Sequence, residues 1–380
     1  MSHLVPYPKL RPKKLMLSKH YFLTAALGAI VVLGNSNLAV AQTMGPNGEA
    51  ATPSSALTLT DAEVAKLKEG KYSAALVWHT SSDFISAVTA GTIHEFDRAG
   101  IKVVATTDAG FDSARQLSDV ETVMAKSPSV ILALPLDPIG SAKAFQAAKE
   151  KGVKLVFLSN VPAGYRQGVD YVSVVTDDLF QMGKQAADAL AKSLLNQGKV
   201  AWIFHDAQYY VTNQRDNAFR RTIENDYKDM SIVASQGISD PARAEDVAHA
   251  LLTKNPDLDG IYVTWAEPAE GVLAALRSAG NTKVKIVTLD LSEPIALDMA
   301  RGGNVTAIVA DQAFELGRAM AIAAGYGLLG KNAPAFTVAP ALTITRENLA
   351  EGYRESLNRE PPQSVLDALQ ANQAPSRGGH

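Results

Sequence analysis

Val130-Ile131-Leu132-Ala133-Leu134-Pro135-Leu136-Asp137 opens with a short run that is apolar at every position rather than at every second one. After the helix-length segment Ser141–Lys151 comes a second such run, Lys154-Leu155-Val156-Phe157-Leu158. Strands of this kind, alternating with helices, are those of a parallel sheet covered on both faces. Working outward, the same alternation continues in both directions. Upstream lie the strand candidates Ser73–Trp78 and Lys102–Thr107, and downstream Val172–Val175. A second series comes after these, with Lys199–Phe204, Ser231–Ser235, Gly260–Thr264, Lys285–Leu289 and Thr306–Val309. Helical segments are expected at Ser86–Ala99, Ala114–Lys126, Leu179–Asn196, Gln214–Asp226, Ala242–Lys254, Ala269–Ser278 and Ile295–Arg301. One sheet rarely holds so many strands. The series divides into two groups of five, so the expected fold class is α/β, with two similar doubly wound parallel-sheet lobes joined by a hinge near Thr176-Asp177.

The N-terminus has a composition that the rest of the chain does not repeat. Lys9, Arg11, Lys13, Lys14 and Lys19 precede an uncharged apolar run from Tyr21 to Leu33 and a polar stretch ending in Ala39-Val40-Ala41. That order is expected of a secretory signal peptide over residues 1–41, cleaved before Gln42. The apolar run is well short of the roughly 20 residues that span a bilayer. Residues 42–60, rich in Ala, Thr, Pro, Ser and Gly, are expected to form a mobile tether. A short helix is expected next, capped at Thr60 and Asp61 and stopped at Gly70. The chain of 380 residues has no cysteine and a formal net charge of −3. This excludes a disulfide framework, a thiol nucleophile and a lipidated cysteine, and the charge gives no footing for nucleic acid.

In open α/β sheets ligands bind beyond the carboxyl ends of the strands. Two facing lobes should therefore line one cleft with the residues that come after each strand. In the first lobe these are Trp78, His79, Ser82, Asp83 and Phe84, then Asp108 and Phe111, then Asp137, then Asn160. In the second they are Tyr209, Tyr210, Asn213 and Arg215, then Trp265 and Glu267, then Asp290, then Asp311. Carboxylates and amides facing aromatic rings suit a sugar or polyol, whose hydroxyls both donate and accept while C–H faces lie on aromatic carbon. Taken singly, each aspartate is better explained as a turn or capping residue, and Asp137-Pro138 is an ordinary way to begin a loop. His79 reads equally as a ligand contact or a loop histidine, His94 and His205 read as structural, and Asp177 and Asp178 as capping and hinge residues.

No phosphate-cradling glycine loop, nucleophile elbow or metal-spaced histidine pair occurs, so neither a cofactor nor a metal is expected. Several carboxylates in one cleft keep an exported carbohydrate-acting enzyme as the alternative.

From Lys71 to about Thr345 the chain resembles the ribose-binding-protein branch of the periplasmic type 1 sugar-binding proteins, the soluble receptors of ABC transporters. The likeness is carried by Val130–Asp137, by Asn213-Gln214-Arg215-Asp216-Asn217-Ala218-Phe219, by Asn255–Ile261, by Ile286–Asp290 and by Ala307–Gln312. The resemblance implies an N-terminal lobe of residues 71–176 plus about 312–336, a C-terminal lobe of 177–311 plus about 337–346, and a C-terminal extension of 347–380. It implies that Asp137, Arg215 and Asp290 hold sugar hydroxyls, with Asp83 and Phe84 in the first-strand loop. Three departures stand out. Asn160 occupies the place of a second arginine, Trp265-Ala266-Glu267 that of an asparagine-aspartate pair, and Asp311 that of the crossover glutamine. Each removes a donor or adds an acceptor or an apolar face, which argues against ribose itself. The resemblance thus implies a monomeric periplasmic receptor that binds a small sugar or polyol by hinge closure and delivers it to a membrane permease. A receptor presenting its ligand to a membrane sensor is the other variant of the same fold.

Overall fold

The computed structural model describes residues 43–371, so the expected signal segment and its cleavage point lie outside the described residues. The first lobe is built on β2 (Ser73–Trp78), α2 (Asp83–Ala99), β3 (Lys102–Asp108), α3 (Ser113–Met124), β4 (Val130–Ala133), α4 (Pro138–Ala144), α5 (Gln146–Glu150), β5 (Lys154–Leu158) and β6 (Ser173–Asp177). Ahead of these come β1 (Thr52–Pro53) and α1 (Asp61–Gly70). The second lobe holds α6 (Leu179–Ser193), β7 (Gln197–His205), α7 (Tyr210–Asp226), β8 (Asp229–Ile238), α8 (Ala244–Lys254), β9 (Gly260–Val263), α9 (Ala266–Ser278), β10 (Lys285–Leu289), α10 (Glu293–Ala300) and β11 (Val305–Ala310). The described residues end with α11 (Ala313–Leu328), β12 (Phe336–Ala339), β13 (Leu342–Ile344), α12 (Leu349–Leu357) and α13 (Gln363–Ala371).

Among the described residues there are two sheets, ordered β1-β12-β6-β5-β4-β2-β3 and β13-β11-β10-β9-β7-β8. All neighbours are parallel except β13 against β11. The five central strands of each lobe take the same order, with the first strand lying between the second and the third. Strands such as β4, buried at every residue, are apolar throughout because helices cover both faces. Helix starts are set by the caps: Ser82 accepts from the Ile85 N–H to open α2, and Asp178 accepts from the Gln181 N–H to open α6.

The expected helix over Ser141–Lys151 is two helices, α4 and α5, broken at Phe145, whose ring packs edge-on to Phe157 with centroids 5.4 Å apart. Glycines set the tightest helix packing. A Cβ on Gly317 of α11 would lie 1.9 Å from the Val88 carbonyl oxygen of α2, so the two helices meet backbone to backbone.

Among the described residues the chain passes between the lobes three times, after β6, after β11 and between β12 and β13. The last passage falls at Pro340-Ala341 rather than at residue 337, because β12 is still paired with β6. The stretch expected to be a mobile tether is instead attached. Thr52 and Pro53 pair with β12, Leu57 and Leu59 are buried in the first lobe, and Thr58 exchanges both backbone hydrogen bonds with the Tyr326 hydroxyl. Its Ala, Pro and Ser residues hide the two leucines that anchor it. The C-terminal extension is likewise packed: α12 lies against α2, α11 and β13, and α13 lies on α10.

Candidate functional site

The strand ends of both lobes close around a cavity of about 80 Å³. At roughly 10–15 Å³ for each enclosed water, this is space on the scale of a small molecule. The first lobe contributes His79, Thr80, Ser82, Asp83 and Phe84 after β2, Phe111 after β3, Leu134 after β4, Ser159 after β5 and Asp177 at the end of β6. The second contributes His205 at the end of β7, Tyr209, Val211, Thr212 and Arg215 beyond it, Trp265, Ala266 and Glu267 after β9, Asp290, Leu291 and Ser292 after β10, and Asp311 after β11. Three of these strand-end residues, Phe111, Ser159 and Asp290, hold left-handed backbone with φ of 61°, 59° and 64°. Non-glycine residues take this conformation at a cost, and such positions collect at ligand sites.

One side of the cavity is an arc of rings. His79 stands edge-on to Phe111 at 5.1 Å, Phe111 faces Trp265 across the lobes at 6.4 Å, and Trp265 meets His205 at 4.9 Å, which in turn meets Tyr209 at 5.0 Å. Burial pushes both His79 and His205 down to about 4, so both imidazoles are neutral at physiological pH. The other side is ionic. Arg215 gives one hydrogen bond to the Asp290 carboxylate at 3.1 Å and another to the Thr264 carbonyl at 3.0 Å. Burial alone would lower the pKa of its guanidinium, but Asp290 and Asp311 outweigh this and push it up. Beneath it, buried Asp216 accepts from the Tyr262 hydroxyl at 2.7 Å, the His205 N–H at 2.9 Å and the Thr264 hydroxyl at 3.0 Å. Burial raises the Asp216 carboxyl to about 6 and the Glu267 carboxyl to about 7. Several buried polar atoms have no protein partner, among them His79 Nδ1, Tyr209 OH, Arg215 Nε and Asp177 Oδ1. Groups left this way at the wall of a cavity mark where a ligand makes hydrogen bonds.

Of the residues expected from the sequence, the fold brings together His79, Asp83, Phe84, Arg215, Trp265, Glu267, Asp290 and Asp311 around this cavity. The others lie elsewhere. Trp78, inside β2, points into the first-lobe core. Asp108 is taken up by its own loop, accepting from the Ser81 hydroxyl at 2.6 Å and the Gly110 N–H at 2.8 Å. Asp137 caps α4, and Asn213 caps the start of α7 by accepting from the Tyr209 N–H at 3.0 Å. Asn160 donates to the Pro135 carbonyl and accepts from the Val211 N–H of the other lobe at 3.3 Å, so it joins the lobes at the edge of the site. The sequence does not by itself place His205, Thr212 or Asp177 at the cavity. Asp177 and Asp178 look alike there as a capping pair, yet only Asp178 caps, and β-strand alternation turns Asp177 inward.

Two lobes of equal strand order, crossed three times and facing one another across a cavity at their strand ends, define a two-lobed ligand-binding protein. The chain belongs to the family described as periplasmic binding protein domain, whose model matches residues 73–332. It is 26% identical over 271 residues to the ribose import binding protein RbsB of Salmonella typhimurium, covering 70% of this chain and 88% of that protein. It is 30% identical over 216 residues to the D-allose-binding periplasmic protein of Escherichia coli, covering 54% of this chain and 68% of that protein. In fold it is similar to an ABC transporter solute-binding protein from Agrobacterium vitis, solved with α-D-tagatopyranose, with a TM-score of 0.68 at 21% identity over 74% of this chain and 97% of that one.

Proposed function

We propose that this chain is the solute-binding receptor of an ABC importer, that it captures a sugar, polyol or related polyhydroxylated molecule in the periplasm, and that it delivers this cargo to a membrane permease. The observation that carries the reading is the cavity walled by both lobes, with aromatic rings on one side and an Arg215–Asp290 pair on the other. Rings take the C–H faces of a sugar, and the ionic side takes its hydroxyls. A ligand that bridges the lobes makes more contacts in the shut form and shifts the population toward it by that difference in affinity. No second subunit is needed, because one chain supplies both walls. The relatives with ribose and D-allose in their names support the cargo class, and the receptor is expected to return its ligand unchanged.

The test is a thermal-shift screen of the mature protein against pentoses, hexoses, hexitols, inositols and amino sugars, followed by calorimetric titration of each hit. A ligand present at 100 times its Kd adds about 2.7 kcal/mol of stability. Removing a hydrogen-bonded buried charge costs about 2–5 kcal/mol, so Arg215→Ala should weaken binding of the hit by roughly thirtyfold or more. A flat response across the panel would sink the receptor reading. Chemical conversion of the hit would instead establish an enzyme.

A further inference from the structure

The charges around the cavity do not balance. Among the described residues, its lining holds one guanidinium, Arg215, against the carboxyls of Asp177, Glu267, Asp290 and Asp311, both imidazoles being neutral. Asp83 is set aside because Arg359 pairs with it at 2.8 Å. Asp290 occupies Arg215 directly. Three carboxyl groups are therefore left facing the cavity without a cation of their own. Two of them, Asp177 and Asp311, are 2% and 4% exposed and are neighbours, the charge of Asp177 helping to raise the Asp311 carboxyl. They sit at the first and second passages between the lobes, the floor of the hinge. Asp177 lines the cavity, and one oxygen of its carboxyl, Oδ1, is buried with no partner.

We propose that the ligand of this cleft carries a protonated amine in place of one hydroxyl, an amino sugar or amino polyol, and that its ammonium docks on the Asp177–Asp311 pair at the hinge. This rests on the receptor reading and narrows its cargo. A neutral hydroxyl donates one hydrogen bond and brings no net charge, whereas an ammonium donates three and brings a full one. Taking carboxylates out of water without a counter-charge costs several kcal/mol each, a cost that a buried pair avoids by holding a proton or offsets by binding a cation. Burial pushes Asp177 up to about 6 and Asp311 well above the carboxylate range, so without ligand the two share a proton near neutrality. The ammonium takes the place of that proton. A phosphate or carboxylate ligand is disfavoured on the same grounds. Docking at the hinge also ties the charge of the ligand to the relative position of the lobes, since one carboxyl moves with each.

The experiment measures matched pairs by calorimetric titration of the mature protein: D-glucosamine against D-glucose, D-galactosamine against D-galactose, D-mannosamine against D-mannose, and 1-amino-1-deoxy-D-glucitol against D-glucitol, with N-acetyl-D-glucosamine as a neutral amide. The amine member of at least one pair should bind about tenfold or more tightly than its hydroxyl counterpart. Asp311→Asn and, separately, Asp177→Asn should bring the ratio of amine to hydroxyl affinity down toward one, with the circular dichroism spectrum and melting temperature of each variant reporting that it is folded. Neutral members binding as well as or better than amines would overturn this proposal and leave the sugar receptor standing. A preference for amine that both variants retain would overturn the hinge pair as its seat. No binding by any amine member would overturn this proposal, and the receptor reading would still be judged on the wider panel of pentoses, hexoses, hexitols and inositols.

Discussion

Arg215 is the point from which the site is organised, because its two outer nitrogens are bound to the Asp290 carboxylate and the Thr264 carbonyl while Nε is left for a ligand. Its fork is fixed before any ligand arrives, so little side-chain freedom remains to be lost on binding. Glu267 plays the opposite part. Burial moves its carboxyl from 4.5 to about 7, so between these values the folded protein holds a proton that the unfolded chain releases. Stability from this group is therefore present at low pH, falls as pH rises through that window, and is lost above about 7. Glu267→Gln removes the effect, while His79 and His205, which act in the opposite direction, cancel in the comparison. In ligand-free protein the melting temperature of the variant relative to wild type should rise between about pH 5 and pH 8, by an amount worth roughly 1–3 kcal/mol. Parallel melting curves at the two pH values would show that Glu267 titrates normally. At this scale the sequence is readable where a strand run ends in a charged or aromatic residue, as at Trp265 and Asp290, whereas Arg215 lies inside α7 and is marked by the Asn213–Phe219 stretch that carries the resemblance. It is not readable at Asp108 or Asp137, because a carboxyl beside a strand end serves a turn as well as a ligand and only the loop path decides.

Between elements the governing contact in the second lobe is α6 against α7, since α7 carries Arg215. A Cβ on Gly183 of α6 would lie 2.0 Å from the Arg215 carbonyl oxygen and 2.7 Å from the Ala218 Cβ. These are distances that no side-chain adjustment relieves, so α7 itself must move. Gly183→Ala should cost about 1–3 kcal/mol of stability through overpacking. It should also weaken the ligand, because α7 shifts with Arg215 on it. Melting temperature and titration of the same variant read both effects, and a stability loss with unchanged affinity would mean that the site tolerates the shift. The close approach also gives a reason for a small residue at 218. The ten central strands are legible because each is a compact apolar run in alternation with helices. The later β12 and β13 are not, since Phe336–Ala339 and Leu342–Ile344 follow one another with no helix between them, outside the strand–helix alternation, and complete two different sheets. The long helix α11 escapes notice for another reason: it is buried nearly all round, so it lacks the polar face that makes a helix visible in sequence.

For the whole molecule the question is what distinguishes the shut form from an opened one. Phe111 against Trp265 and Asn160 against Val211 are contacts between the two lobes, and both would part if the hinge opened. The C-terminal extension adds a third. Its last helix, α13, is held on the second lobe, where Ser364 donates to Glu293 at 2.6 Å. Just ahead of it, Arg359 reaches Asp83 at the start of α2 in the first lobe. The pair is partly exposed, so its contribution is at most about 1 kcal/mol and is screened by salt. That is still enough to bias an equilibrium between two forms of similar energy. Arg359→Ala should therefore weaken the ligand roughly twofold to fivefold in low salt and by less at about 0.5 M salt, with the melting temperature of the ligand-free protein nearly unchanged. Titration of wild type and variant at the two salt concentrations reads this directly. Equal affinities at both would mean that the extension packs on the lobes without holding them together.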